Sequence, residues 1–231
     1  MIKIKKAGFT LSEALITLSI IGVLAALVLP GMIKDATNRA NIALVQGTVS
    51  VITDAVANEM VRTRAVNLKD TYLFSDAEKF LKTLDCAKTN KNGQMLFKAP
   101  NQYKTVNGNT QNLYTGNVSA SAILKNGVGI AITPKTGKEN IDGTDYADPY
   151  VTVVIDINGN KEPNIIGVDV FELRIINYTS TSGNGTHVGD VGSADYSDRT
   201  PAQVKANCLG GSIKECYYLL EHSGFDPNYL K

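Results

Sequence analysis

Apolar residues in the first third of the chain follow the spacing of one long helix. Residues 14–33 carry no charge, and beyond them apolar residues recur every three or four positions up to Met60. This spacing places side chains on one face of an α-helix, so we predict a helix over residues 9 to about 66. Pro30 lacks a backbone N–H donor, which predicts a kink or local melting around residues 26–31. The apolar face of the second half consists of Ile42, Val45, Val49, Ile52, Val56 and Met60.

The rest of the chain shows the alternation of an antiparallel sheet. Period-two patterns predict strands at residues 94–99, 119–125, 128–133, 150–157 and 169–177. Asn126-Gly127, between the second and third of these, is a two-residue hairpin signal. Residues 88–118 are otherwise predicted to be surface loop, and the Gly-, Ser- and Thr-rich residues 179–199 an exposed, mobile loop. We expect an α+β fold whose antiparallel sheet packs one face on the long helix.

Capping boxes predict three short helices. In such a box a Ser or Thr caps the helix, and a Glu or Gln three positions later reaches back to the backbone of the cap. The pairs are Ser75 with Glu78, Thr200 with Gln203, and Ser212 with Glu215. The last two open short C-terminal helices. The first helix ends near Cys86, and its inner face consists of Phe80, Leu81 and Leu84.

The uncharged run is long enough to cross a membrane. At about 1.5 Å per helical residue its 20 residues span roughly 30 Å, the thickness of the hydrocarbon core of a bilayer. Lys3, Lys5 and Lys6 precede it, and no acidic residue comes before Glu13. Because basic flanks stay on the cytoplasmic side, we expect the N-terminus in the cytoplasm and everything after Ile33 outside the cytoplasmic membrane.

Composition narrows the function classes. The 231 residues include 23 basic and 22 acidic side chains, a net charge of +1. This balance argues against a nucleic-acid-binding protein, which relies on a basic surface. No phosphate-binding loop, nucleophile elbow or paired-carboxylate motif is recognisable, so no enzymatic activity is expected. His187 and His222 are the only histidines, and neither has a zinc-ligand spacing to a cysteine.

Glu13 bears on three interpretations of the N-terminus: a cleaved secretory signal, a plain single-pass anchor, and a processed anchor that assembles. A secretory signal has a shorter apolar stretch followed by a small-x-small cleavage site, and residues 14–33 are longer and lack such a site after them. A plain anchor leaves the carboxylate unexplained, since an acid at the edge of a spanning helix is usually partnered or functional. A position near the positive end of the helix dipole is the simplest account of Glu13, and a role in assembly is the other.

The residues around the start of the helix read Lys5-Lys6-Ala7-Gly8-Phe9-Thr10-Leu11-Ser12-Glu13. This segment resembles the class III signal of type IV pilins and type II secretion pseudopilins. The resemblance implies that a prepilin peptidase cuts between Gly8 and Phe9 and methylates Phe9, which leaves Glu13 as the fifth residue of the mature chain. Pro30 also matches a proline of that family, whereas Ser12 stands where the family usually has leucine or isoleucine.

The same resemblance implies that the chain has three parts, and it implies a function. Residues 1–8 are a cleaved leader, residues 9–33 a transmembrane and filament-core helix, and residues 34–231 a periplasmic or extracellular head. The chain is expected to be a structural subunit of a type IV pilus-like or type II secretion pseudopilus filament. Its expected partners are copies of itself, other pilin-like subunits, the prepilin peptidase and an assembly platform in the cytoplasmic membrane. The alternative is a monomeric, single-pass membrane-anchored binding domain.

A physical argument supports processing at this position. A cut before Phe9 creates a positively charged amine four residues from Glu13, and residues i and i+4 share a helix face. Either this amine or that of a neighbouring subunit can offset the carboxylate. The resemblance implies the pairing between subunits, and the residues alone leave both open.

Two further sets of residues suggest chemistry in the head. Cys208 and Cys216 flank a short turn and are close enough for a small disulfide loop, although pairing of either with Cys86 and the absence of a bridge both stay open. Residues 156–171 resemble a D-x-N-G, P-N, G-x-D-x-F element of pilin-like proteins. A turn held by Asn and Asp side chains is the preferred explanation of this element. Calcium is the one cofactor considered, with oxygen ligands from Asp156, Asn158, Asn160 and Asp169.

Overall fold

The computed structural model describes most of the chain after the first nine residues. Its described ranges are 10–91, 93–97, 103–111, 113, 118–136, 139–141, 144–146, 149–159, 161–179, 186–193, 196 and 198–230. The chain divides into two compact units, Met1–Ala40 and Asn41–Lys231. Within the described ranges, all buried apolar residues belong to the second unit.

The longest element is helix α1, Leu11–Thr63, close to the predicted range of 9–66. It continues through Pro30 without interruption, so the structure does not show the local melting predicted around residues 26–31. Val49 and Met60 of the predicted apolar face are partly buried against the core. The buried positions of α1 recur three or four residues apart, as its packing on the head requires: Ile42, Val45, Thr48, Ile52, Val56 and Glu59.

In the part of the chain that the structure describes, the remaining elements are short helices and ten strands. A 3-10 helix, Leu68–Asp70, follows α1, and the other helices are α2 (Tyr72–Ser75), α3 (Ala77–Leu81), α4 (Pro201–Leu209) and α5 (Ile213–His222). The strands are β1 (Cys86–Asn90), β2 (Tyr103–Lys104), β3 (Thr110–Gln111), β4 (Ala120–Leu124), β5 (Gly129–Lys135), β6 (Glu139–Ile141), β7 (Thr144–Tyr146), β8 (Tyr150–Asp156), β9 (Val170–Thr179) and β10 (Thr186–Gly192).

Six of the strands form one antiparallel sheet in the order β1-β4-β5-β8-β9-β10. Every residue of β8 after Tyr150 is buried, because the sheet is covered on both faces. Helix α5 packs on β9, and the buried face of α1 joins the same apolar core as the central strands. This arrangement confirms the predicted α+β fold with a long N-terminal helix, an antiparallel sheet and short C-terminal helices.

The two edge strands of this sheet were not predicted from the sequence. Strand β10 lies inside residues 179–199, which were predicted to be mobile loop, and it pairs with β9 from Thr186 to Gly192. Strand β1 begins at Cys86, where a helix was predicted to end, and pairs with β4. Conversely, residues 94–97 are not a strand, and residues 98–99 of that prediction lie outside the described ranges. Strand β1 lies at the edge of the sheet and has no fully buried residue, so it lacks the buried apolar positions from which a strand is recognised.

The central hairpin occurs where it was predicted, with a longer loop. The Leu124 N–H donates to the Val128 carbonyl at 2.8 Å, so three residues, 125–127, lie between the strands rather than two. Gly127 has a φ of 91°, a left-handed conformation that glycine adopts without steric strain. A type I turn followed by such a residue is the common three-residue hairpin.

The predicted capping boxes have different outcomes. Thr200 and Gln203 form the complete box at the start of α4, as predicted. Ser212 is the N-cap of α5 but makes no side-chain cap bond. The Glu215 carboxylate is buried and accepts hydrogen bonds from Arg199 and Asn207. The prediction of a capping box at Ser75 is wrong. This residue ends α2, and its hydroxyl donates to the Thr71 carbonyl at 3.1 Å.

Candidate functional site

Helix α1 begins with reciprocal hydrogen bonds between Thr10 and Glu13. The Thr10 N–H donates to Glu13 Oε2 at 2.9 Å, and the Glu13 N–H donates to Thr10 Oγ1 at 3.3 Å. The Thr10 hydroxyl also donates to Glu13 Oε2, at 2.8 Å. This capping box satisfies donors that the first turn of a helix leaves without partners. Thr10 was missed as the cap, although the Thr-x-x-Glu spacing is the sequence signal of such a box.

The apolar part of α1 is exposed. Thirteen large apolar side chains between Leu11 and Ile33 are 52% to 81% exposed. The hydroxyls of Thr17 and Ser19 donate to backbone carbonyls one turn earlier, at 2.9 and 2.8 Å, so they need no outside partner. Within the described ranges, α1 alone is long and apolar enough to span a membrane, and its most apolar stretch has no buried residue. This exposure distinguishes it from the core helix of a soluble protein.

A second set of polar residues lies where β8 ends. Asp156 is fully buried, and its Oδ1 accepts the N–H groups of Asn158 and Gly159 at 3.2 and 2.8 Å. Its Oδ2 accepts the hydroxyl of Tyr103 on β2. The carboxylate therefore shapes the start of the loop between β8 and β9 and ties that loop to a strand 53 residues earlier in the chain.

Asp169 closes the same loop. Its Oδ2 accepts the Ile165 N–H at 2.8 Å, and its backbone carbonyl accepts the Ile157 N–H at 2.9 Å. Burial, together with the nearby negative charge of Asp156, raises the pKa of the Asp169 carboxyl to about 6, although the Ile165 N–H and the Asn158 side chain lower it. Asp169 is thus a buried acid beside a second buried acid.

Some polar atoms of this loop are buried without a hydrogen bond. Within the described ranges, Asp169 Oδ1, Asn158 Oδ1 and both amide atoms of Asn164 have no partner. Of the four residues considered as calcium ligands, the structure brings Asp156, Asn158 and Asp169 into one cluster, and Asn160 lies outside the described ranges. Asn164 belongs to the recognised P-N element but was not considered as a ligand.

The C-terminal helices support this loop through a disulfide. Cys208 and Cys216 are bonded, with their Cα atoms 4.7 Å apart, and Cys86 is a free, half-buried thiol whose pKa burial raises to about 11. A Cβ atom at Gly167 would lie 2.8 Å from the Cys216 sulfur, so the loop packs directly on the bridge. The Tyr229 hydroxyl donates to the Gly167 carbonyl.

Comparison with known families decides the nature of the N-terminus. Residues 3–29 match the family model described as "Prokaryotic N-terminal methylation motif". The chain carries a type IV pilin-like prepilin segment. No curated protein and no solved structure matches the chain.

The prepilin segment gives the N-terminal residues their context. Segments of this type are substrates of a prepilin peptidase and occur on pilin-like subunits. Gly8 and Phe9 precede the described ranges, whereas Glu13 lies in the first turn of α1. The prepilin segment and the exposed apolar helix together fit a membrane-anchored protein.

Proposed function

We propose that the chain is a structural subunit of a type IV pilus-like or type II secretion pseudopilus filament. A prepilin peptidase cuts it between Gly8 and Phe9 and methylates Phe9. Residues 9–33 then hold the subunit in the cytoplasmic membrane with its head outside, until an assembly platform draws it into a filament whose core is made of N-terminal helices. The observation that carries the proposal is the prepilin segment at residues 3–29.

The exposed apolar side chains support a helix that is always covered by lipid or by other helices. Burying a large apolar side chain contributes about 1.5–3 kcal/mol, so the thirteen between Leu11 and Ile33 represent on the order of 20 kcal/mol or more. Both the lipid of a bilayer and a bundle of identical helices would remove these side chains from water. Filament assembly requires that the helix move from the bilayer into such a bundle.

Glu13 has two separable roles in this proposal. Its carboxylate caps α1 together with Thr10, and after processing it lies four residues from the new amine of Phe9. Capping requires only an acceptor oxygen, whereas attraction to an amine requires a negative charge. In an apolar filament core, an attraction between the carboxylate of one subunit and the amine of the next would select one axial register.

The first test is the N-terminus of the protein purified from its native cells. Mass spectrometry of the intact chain and of its N-terminal peptide should find a chain that starts at N-methylated Phe9. A chain that still carries Met1 and the leader lysines would contradict the proposal and favour a monomeric anchored domain.

The second test separates the two roles of Glu13. Glu13→Gln keeps an acceptor for the capping box but removes the charge, whereas Thr10→Ala removes the cap and keeps the charge. We expect Glu13→Gln subunits to be cut and inserted into the membrane but to be absent from sheared filaments, and Thr10→Ala subunits to assemble. Asp54→Asn, an exposed acid on the same helix, is the matched control and should assemble normally. Normal assembly of Glu13→Gln would refute the charge-pairing role.

A further inference from the structure

Glu172 is a buried acid between the sheet and helix α5. It is 4% exposed, and α5 packs on its strand β9. The residue opposite it on β8 is Val154, so this neighbouring strand offers no polar side chain there. From α5, Lys214 approaches it, with Nζ 3.9 Å from Glu172 Oε1. The helix therefore covers a carboxyl group that has an apolar neighbour in the sheet.

The cations next to Glu172 attract its carboxylate without hydrogen bonding to Oε1. Arg174 Nη2 lies 3.8 Å and Lys214 Nζ 3.9 Å from this oxygen, whereas an N–H···O hydrogen bond measures about 2.7–3.2 Å. In the described part of the chain, Oε1 has no hydrogen-bond partner. A buried charge is costly unless it is both paired and hydrogen-bonded, so this place accommodates the charged form of Glu172 poorly.

The charge of Glu172 changes near neutral pH, whereas its neighbours keep theirs. Burial raises the pKa of Glu172 to about 7, although Lys214 and Lys135 lower it. Burial also raises the pKa of Tyr196 to about 12, so the hydroxyl of Tyr196 stays neutral. The Glu215 carboxylate accepts two hydrogen bonds. Among the described residues, the charged groups that act on Glu172 or on Tyr196 beside it are Lys135, Arg174, Arg199, Lys214 and Glu215.

The disulfide joins helices α4 and α5 into one unit. Cys208 on α4 is bonded to Cys216 on α5, and the two helices pack on each other. An opening that lifts this helix pair off β9 would admit water to Glu172, and the carboxyl group would then ionise as an exposed acid does. Because the charged form is more stable in the open state than in the closed one, a rising pH favours the opening.

We propose that Glu172 makes the attachment of the helix pair α4–α5 to the sheet pH-dependent: the pair is held firmly while Glu172 is protonated and opens more readily once Glu172 is charged. A carboxyl group with a pKa of about 7 when covered and 4.5 when exposed makes the opening roughly 70-fold more favourable at pH 8 than at pH 5. The loop between β8 and β9 packs on the same disulfide through Gly167, so it loses this support when the pair opens. The inference concerns the head alone and does not depend on filament assembly.

The test is hydrogen–deuterium exchange of the full-length processed chain in detergent, followed by mass spectrometry at pH 5 and pH 8. Each exchange rate is divided by the intrinsic rate of an unfolded peptide at the same pH, which gives the opening equilibrium of each segment. We expect the amides of α5 to open roughly 70-fold more at pH 8 and to be less protected than those of β8 at both pH values. Opening of α5 that does not change with pH, or protection of α5 equal to that of β8, would overturn the proposal.

Two matched variants assign the effect to Glu172. Glu172→Gln keeps the shape of the side chain without its charge, so α5 should open equally at pH 5 and pH 8. His222→Gln is the control, because histidine also titrates in this range and His222 lies at the other end of α5, stacked on Tyr218. This control should keep the response of the native chain. A response that persists in Glu172→Gln or disappears in His222→Gln would overturn the assignment.

A third variant tests the same assignment and leaves Glu172 in place. Lys214 lowers the pKa of Glu172, so Lys214→Met should make the charged carboxylate still less stable in the closed state. The change in α5 opening between pH 5 and pH 8 should therefore exceed that of the native chain. If Glu172→Gln does not fold, this variant decides, and an unchanged or smaller response would overturn the assignment.

Discussion

Removal of the Cys208–Cys216 bridge should destabilise the head by an amount that its loop length sets. The two cysteines are eight residues apart in the sequence, and closing so short a loop in the unfolded chain is worth about 2.5 kcal/mol in the chain-entropy account of disulfides. Both sulfurs are buried, and one of them contacts Gly167. Replacing the pair by alanine therefore removes packing as well, for a total of about 3–4 kcal/mol.

The assay is urea unfolding of the full-length chain in detergent, followed by tyrosine fluorescence because the sequence has ten tyrosines and no tryptophan. With a denaturant slope of about 2.5 kcal/mol per molar urea, the double variant Cys208→Ala/Cys216→Ala should unfold at a midpoint lower by about 1.2–1.6 M. A reducing agent should shift the native chain in the same direction and leave the variant unchanged.

Cys86 supplies the control for this experiment. It is a free thiol in the structure, so Cys86→Ala should keep the full response to the reducing agent. A Cys86→Ala chain that no longer responds would show that Cys86 takes part in the bridge. A native chain whose midpoint does not move on reduction would refute the bridge altogether.

Two further predictions concern the residues next to the bridge and the sheet. Gly167→Ala should destabilise the head by about 2 kcal/mol or more, because Gly167 has a φ of 78° and the new Cβ would meet the Cys216 sulfur. Gly108→Ala is the control, because Gly108 has a φ of 85° but a new Cβ there would have no atom within 4 Å. In urea unfolding the control should show only the destabilisation that comes from the strained backbone. Burial raises the pKa of Glu172 to about 7, although Arg174, Lys214 and Lys135 surround it. A folded-state pKa above the unfolded value means that stability falls as the pH rises from about 4.5 to 7, by up to roughly 3 kcal/mol. Glu172→Gln should lack this part of the pH dependence when the native chain and the variant are each unfolded in urea at pH 5 and pH 8. An equal change in the free energy of unfolding between the two pH values would contradict the argument.

The N-terminal segment was recognisable because its chemistry is contiguous. Gly8, Phe9 and Glu13 lie close together along the chain, and the uncharged run begins immediately after them. Neither feature depends on distant residues. The same holds for the Thr200 box and for the central strands, whose buried residues follow the period of the element.

The predictions from the sequence were wrong where a residue or strand forms hydrogen bonds with a partner far away in the sequence. Ser212 makes no side-chain cap bond, and the buried Glu215 carboxylate accepts hydrogen bonds from Arg199 and Asn207. Strands β1 and β10 are extended because a neighbouring strand offers hydrogen bonds. Their own residues do not show a strand pattern.

The loop after β8 shows most clearly which features follow from the sequence and which follow from the tertiary structure. Its turn residues were evident from the sequence, because Asp and Asn side chains bond to backbone groups a few positions away. Its burial was not, because Tyr103 comes from a strand 53 residues earlier and the disulfide that packs on Gly167 comes from the C-terminal helices. The sequence by itself determined the apolar N-terminal helix, the prepilin segment and the strand-forming core, since these depend on neighbouring residues. Only the tertiary structure decided which oxygens are cut off from water, since burial depends on everything that packs around them.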